Sequence, residues 1–155
     1  MRRGFTMIEL VFVIVIIGIL AAVAIPKLAA TRDDAKAGTI KTDMGTAMNA
    51  VPSWYQGQKT ADLKQAMSID ENVWVMSGGD CVATYTDAAG GTVVMELMNA
   101  DTNATLSSCP DTTTPNVKLH IALTVTGTDI VYMLANDLDV PLDRNVTVSG
   151  NKVQW

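Results

Sequence analysis

One histidine, two cysteines and a few polar clusters hold most of the reactive side chains in this chain of 155 residues. His120 is the single imidazole, which excludes His-rich metal sites and leaves few ways to build a nucleophile–base pair. With no fixed serine or cysteine partner, it reads as a solvated or packing side chain on the polar face of a strand. Cys81 and Cys109 are too few for a structural zinc site and suit one disulfide, hence a domain outside the cytoplasm. That bond would close a loop of about 29 residues and contribute roughly 3–4 kcal/mol in the chain-entropy account. Two buried free thiols are the alternative. Asp137, Asp139 and Asp143 offer hard oxygen ligands that could hold calcium, although the spacing lacks the EF-hand pattern and solvated loop carboxylates explain it as well. Asn103 and Asn145 each open an N-x-[ST] acceptor sequence, and each has Asp two residues upstream. At this acidic content, chance puts a carboxylate at both upstream positions about one time in a hundred.

The amino-terminal segment carries a different kind of chemistry. Arg2 and Arg3 precede Gly4, and Phe5 to Ile25 is a run of 21 residues with one charge, Glu9. As a helix, that run spans roughly 31 Å, the hydrocarbon thickness of a bilayer. The two arginines favour an amino terminus left in the cytoplasm, with the rest of the chain exported. A secretory signal peptide ending at Ala22-Val23-Ala24, a plain single-pass anchor, and a leader cut after Gly4 all fit the apolar run. Glu9 separates them. A carboxylate at the centre of a membrane helix costs about 2.5–3.5 kcal/mol, and less near the interface. A passive anchor gains nothing from it. A segment that must find a cation on a neighbouring copy does, and cutting after Gly4 creates one at the amine of Phe5.

The sequence Gly4-Phe5-Thr6-Met7-Ile8-Glu9-Leu10, with Pro26 further along, resembles the type IV pilin and type II secretion pseudopilin family. The close resemblance covers about the first 50 residues. It implies a leader of residues 1–4, a membrane and filament-core helix over 5–25, its amphipathic continuation over 26–52, and a periplasmic domain over 53–155. It further implies that a prepilin peptidase cuts the Gly4–Phe5 bond, that Phe5 is then N-methylated, and that Glu9 pairs with the Phe5 amine of a neighbour during assembly. Pro26 would kink the helix. The protein would be a structural subunit and not an enzyme. It would be held in the bacterial inner membrane and assembled into a periplasmic or extracellular filament. The implied partners are its own copies, other pseudopilins or minor pilins, the peptidase and a membrane assembly platform. A competence pseudopilin and a major pilin remain open within the family, and a secreted binding domain released at Ala24 remains open outside it. Pilins often tie a loop to the body with a disulfide, but here the pair lies in mid-chain. Major pseudopilins often bind calcium in a carboxy-terminal loop; no cofactor is expected here, with calcium as the one alternative. The two acceptor sequences resemble the extended form read by bacterial oligosaccharyltransferases.

The elements that must carry these groups form an α+β pattern. Ile40, Met44, Ala47, Met48 and Val51 lie on one helical face, and Pro52-Ser53 should end that helix. Gly18 suits close helix packing, with local flexibility as the other reading. A short helix is expected over Ala61–Met67 with Thr60 as its cap. Trp54, Tyr55 and Trp74 read as packing residues. Val117 to Val125 alternates with strict period two, Thr126-Gly127-Thr128 supplies a turn, and Asp129–Leu134 reads as a return strand. Thr92–Met98 is a further strand, and Val146–Val148 with Lys152–Trp155 a terminal hairpin. The formal charge of −5 disfavours broad nucleic-acid binding, since an acidic chain gains nothing from counterion release.

Overall fold

The computed structural model describes residues 4–58, 60–110, 116–137 and 143–148. Its elements are one long helix, α1 (Met7–Gln58), a short helix α2 (Leu63–Met67), strands β1 (Val75–Ser77), β2 (Val82–Thr86), β3 (Thr92–Asn99) and β4 (Val117–Thr124), a third helix α3 (Ile130–Asn136), and strand β5 (Asp143–Thr147). The class is α+β, as the pattern predicts. The chain divides into two compact units, residues 1–35 and 36–155.

The first unit is the amino-terminal part of α1. Its large apolar side chains from Phe5 to Leu28 are exposed, with Phe5 at 85%. Length and composition suffice for this helix to cross a membrane. Pro26 lies inside the helix, where it supplies no N–H to the carbonyl of Ala22. Thr31 returns its hydroxyl to the carbonyl oxygens of Lys27 and Leu28, at 2.8 and 3.2 Å.

The second unit has its own core. The rest of α1 buries Ile40, Met44, Ala47, Val51 and Tyr55 at spacings of three and four. Five strands follow one another in the order β1-β2-β3-β4-β5, every neighbouring pair antiparallel. Alternation decides the faces. Ala83 and Tyr85, then Val93, Met95 and Leu97, then Val117, Leu119, Ile121 and Leu123 point into the core with the helix stripe. Trp74 is buried edge-on to Tyr85, with ring centroids 6.0 Å apart, and donates its indole N–H to Asp43 on α1 at 2.8 Å. The opposite face presents Glu96, Lys118, His120 and Ala122, and β5 brings Asp143 and Asn145 alongside.

Three local expectations need correction. Pro52 does not end α1, which continues to Gln58. The extra turns place Tyr55 one step beyond Val51 on the same stripe, and burying that ring offsets the missing Pro52 donor. Thr60 does not cap the next helix. Asp62 does so, accepting from the Gln65 N–H at 3.1 Å. Asp129–Leu134 is not a return strand. Its β-branched residues suggest one, but Ile130, Val131 and Leu134 are buried at helical spacing, and Asp129 caps α3. The place beside β4 goes to β5. Of the terminal hairpin, the first strand runs over Asp143–Thr147 and the second lies outside the described residues. The short strands β1 and β2 were not evident in the sequence pattern.

Candidate functional site

At the amino terminus, the first helical residue is Met7, so Thr6 occupies the capping position and Glu9 the third helical position. The Glu9 Oε2 atom accepts from the Thr6 backbone N–H at 3.0 Å and from the Thr6 hydroxyl at 2.9 Å. The Glu9 N–H in turn meets the Thr6 Oγ1 atom at 3.4 Å. This is a reciprocal capping box. It satisfies helix-end donors that would otherwise lack partners as the chain enters an apolar segment. The role of Thr6 went unread in the sequence, although Thr6-Met7-Ile8-Glu9 has the T-x-x-E signature of such a box. Within the single chain, Glu9 is therefore committed to its own helix start.

Gly4 sits just upstream, and a Cβ there would meet nothing within 4 Å. The fold places no steric demand for glycine at this position. A Cβ at Gly18 would likewise meet nothing within 4 Å. Phe5 is exposed, next to both the Gly4–Phe5 bond and the capping box. The segment thus places a small residue, an exposed aromatic and an internally bonded carboxylate within six positions.

In the second unit, Cys81 and Cys109 form a disulfide with Cα atoms 5.1 Å apart. It joins the start of β2 to the loop that follows β3. The same region is bonded through the backbone, with the Ala61 N–H donating to the Pro110 carbonyl and the Leu63 N–H to the Asp80 carbonyl, both at 3.1 Å.

His120 is less solvated than its sequence position implied. Its Nδ1 lies 2.9 Å from a Glu96 oxygen and its Nε2 lies 3.1 Å from an Asp143 oxygen. The cross-strand pairing of Glu96 with His120 produces the first contact, and β5 delivers the second. Thr105 donates its hydroxyl to the other Glu96 oxygen at 2.6 Å. Both ring nitrogens therefore face carboxylates, and Thr105 addresses Glu96 rather than the imidazole. A nucleophile–base pair needs a hydroxyl or thiol on the histidine, and this cluster does not supply one.

Two of the three candidate calcium ligands are described, and each has another partner. Asp137 ends α3 and takes the Lys41 ammonium at 2.6 Å, Asp143 bonds His120, and Asp139 lies outside the described residues. Among the described residues, no group of three or more His, Cys, Asp or Glu side chains is placed to hold a metal ion. Asn103 lies in an exposed turn and Asn145 within β5.

One buried carboxylate has a structural role that the sequence did not reveal. Asp87, 7% exposed, accepts from the Gly91 N–H at 2.7 Å and from the Val131 N–H at 3.0 Å. It ties the β2–β3 turn to the start of α3. Its long-range acceptor role needs the α3 contact to be seen.

Comparison with known proteins adds one match. Residues 1–25 match the family model described as the prokaryotic N-terminal methylation motif, the hallmark of the prepilin-type signals of type IV pilins and pseudopilins. No curated protein and no solved structure matches the chain.

Proposed function

We propose that this protein is a structural subunit of a pilus-like filament, made as a precursor and cut after Gly4 by a prepilin peptidase. The observation that carries the reading is the methylation motif at residues 1–25, the stretch that contains Gly4, Phe5 and Glu9. In this reading the precursor waits in the inner membrane, anchored by the amino-terminal part of α1, with the sheet domain on the periplasmic side. Cleavage removes both leader arginines and leaves a Phe5 amine, which methylation keeps basic. The Thr6 N–H survives the cut, so the capping box can hold Glu9 until a neighbour's amine competes for it. The exposed apolar side chains between Phe5 and Leu28 then pack against copies of themselves.

A domain of about 100 residues beyond the helix favours a short pseudopilus of a secretion system over a long surface pilus. The filament core would be apolar and its outer face acidic, since the mature chain loses two positive charges from a total already at −5.

The deciding experiment is intact-mass measurement with amino-terminal sequencing of the chain from the membrane fraction. The expected species begins at N-methyl-Phe5. A chain beginning at Ile25, or retaining Met1, would refute prepilin processing and leave a secreted domain or a plain anchor. A Glu9→Ala chain is expected to be cut normally and to cross-link into filaments poorly. Normal assembly of that variant would remove Glu9 from the mechanism.

A further inference from the structure

The two acceptor sequences, Asp101-Thr102-Asn103-Ala104-Thr105 and Asp143-Arg144-Asn145-Val146-Thr147, are chemically equivalent but sit in very different surroundings. We propose that Asn103 is an N-glycosylation site of the folded domain and that Asn145 is not.

The turn holding Asn103 is exposed and closed on itself. The Asn99 side-chain oxygen accepts the N–H groups of Asp101 and Thr102 at 2.9 and 3.1 Å, and the Asn103 N–H donates to the Asn99 carbonyl at 2.9 Å. Asn103 has φ 54°, a left-handed conformation that asparagine tolerates. That conformation accounts for asparagine at 103 but not for Asp101 and Thr105 two residues to either side. The Lys118 ammonium lies 2.5 Å from the Asn103 Oδ1 atom. An ammonium only donates, so it must face the amide oxygen, which turns the nitrogen edge away from the sheet lysine. The side chains at −2 and +2 make surface bonds that an enzyme can exchange for its own: Asp101 accepts from the Asn116 amide at 2.8 Å, and Thr105 donates to Glu96.

Asn145 stands opposite His120 in the β4–β5 ladder. Its upstream Asp143 is bonded to His120, and its downstream Thr147 is paired with Lys118. Just beyond it, Val148 is buried and donates its N–H to the Val117 carbonyl at 2.8 Å. A transferase must take the acceptor with two residues on each side into a cleft. For Asn145 this means stripping the whole of β5 from the sheet, whereas for Asn103 it means opening an exposed turn and the single Met98–Thr105 bridge at its base.

The reaction uses an oligosaccharide carried on a lipid pyrophosphate and a membrane-bound transferase facing the exported domain. The Asn103 Nδ2 atom bonds the anomeric carbon of the sugar. The anomeric carbon–oxygen bond to pyrophosphate breaks, and the pyrophosphate leaves with the electron pair. One Nδ2 proton passes to a transferase base. The inference rests on export of the domain, and one spectrum tests the two ideas separately.

The test is intact mass followed by peptide mapping of the full chain from cells that produce it. The expected result is one oligosaccharide on the peptide containing Asn103 and none on the peptide containing Asn145. The added mass is lost in Asn103→Gln, Asp101→Ala and Thr105→Val, and retained in Thr105→Ser and Asn145→Gln. A chain starting at Phe5 with a closed disulfide and a bare Asn103 overturns the glycosylation proposal while leaving export intact. A sugar on Asn145, alone or together with Asn103, overturns the structural selection.

Discussion

Asp87 is the sharpest quantitative test of the domain's construction. Its carboxylate is buried and spends one oxygen on each of two backbone donors, Gly91 N–H in its own turn and Val131 N–H in the first turn of α3. The Asp87→Ala change leaves both donors without their acceptor. Hydrogen bonds to a charged group contribute about 1.5–3 kcal/mol each, and relief from burying the carboxylate returns part of that, so a net loss of roughly 2–4 kcal/mol is expected. Asp87→Asn preserves shape but has only one oxygen, so it opposes an NH₂ group to one of the two N–H donors and should cost about 1.5–3 kcal/mol. The neighbouring glycine supplies a cross-check. A Cβ at Gly91 would lie 2.9 Å from the Asp87 Oδ2 atom and 2.9 Å from the Val131 Cβ atom. Gly91→Ala should therefore destabilise on its own, and removing the Asp87 carboxylate should relieve one of its two clashes. The double change must then cost less than the two single costs combined. Urea unfolding of the unit beginning at Lys36, followed by circular dichroism and tryptophan fluorescence, measures all four proteins. A loss below about 0.5 kcal/mol for Asp87→Ala, or strict additivity in the cycle, would refute the claim that this carboxylate joins the turn to α3.

Two further expectations concern the same unit. Replacing Cys81 and Cys109 with serine should lower stability by roughly 3–4 kcal/mol, the loop-entropy contribution, and should make the 99–110 loop the first site of proteolysis. Equal unfolding midpoints for the oxidised and serine proteins would contradict it. Lys64 is held above its ordinary value of 10.5 by the hydrogen bond and charge of Glu71, and this pair lies on the surface. A raised folded value means the stabilisation is fully present below the ordinary lysine range and disappears as pH climbs through the folded value. The small stability difference between the chain and Lys64→Met should vanish over that rise, and in high salt at neutral pH. A difference that persists at high pH would assign it to packing of the lysine stem.

Period and composition were enough to expect the α+β class, the long amino-terminal helix, the buried stripe from Ile40 to Val51 and the alternating strand β4. Each is a local pattern with strong repetition, and a face that is apolar at the right period has few other folds available. The spacing of Gly4, Phe5 and Glu9 was legible for a related reason: it is a local linear pattern, within the stretch matched at residues 1–25. What the sequence could not decide was competition between partners. Ile130-Val131-Tyr132 suits a strand by propensity, yet α3 forms because Asp129 and the distant Asp87 satisfy its first donors, at Ile130 and Val131. Pro52 reads as a stop, yet Tyr55 finds room in a core assembled from the sheet. His120 looked solvated until β3 and β5 brought a carboxylate to each ring nitrogen. Asn103 and Asn145 share one motif, and only the β4–β5 ladder makes them unequal. Local periodicity chose the elements, while contacts between residues far apart in the chain chose which side chains are bonded, buried or left open to another protein.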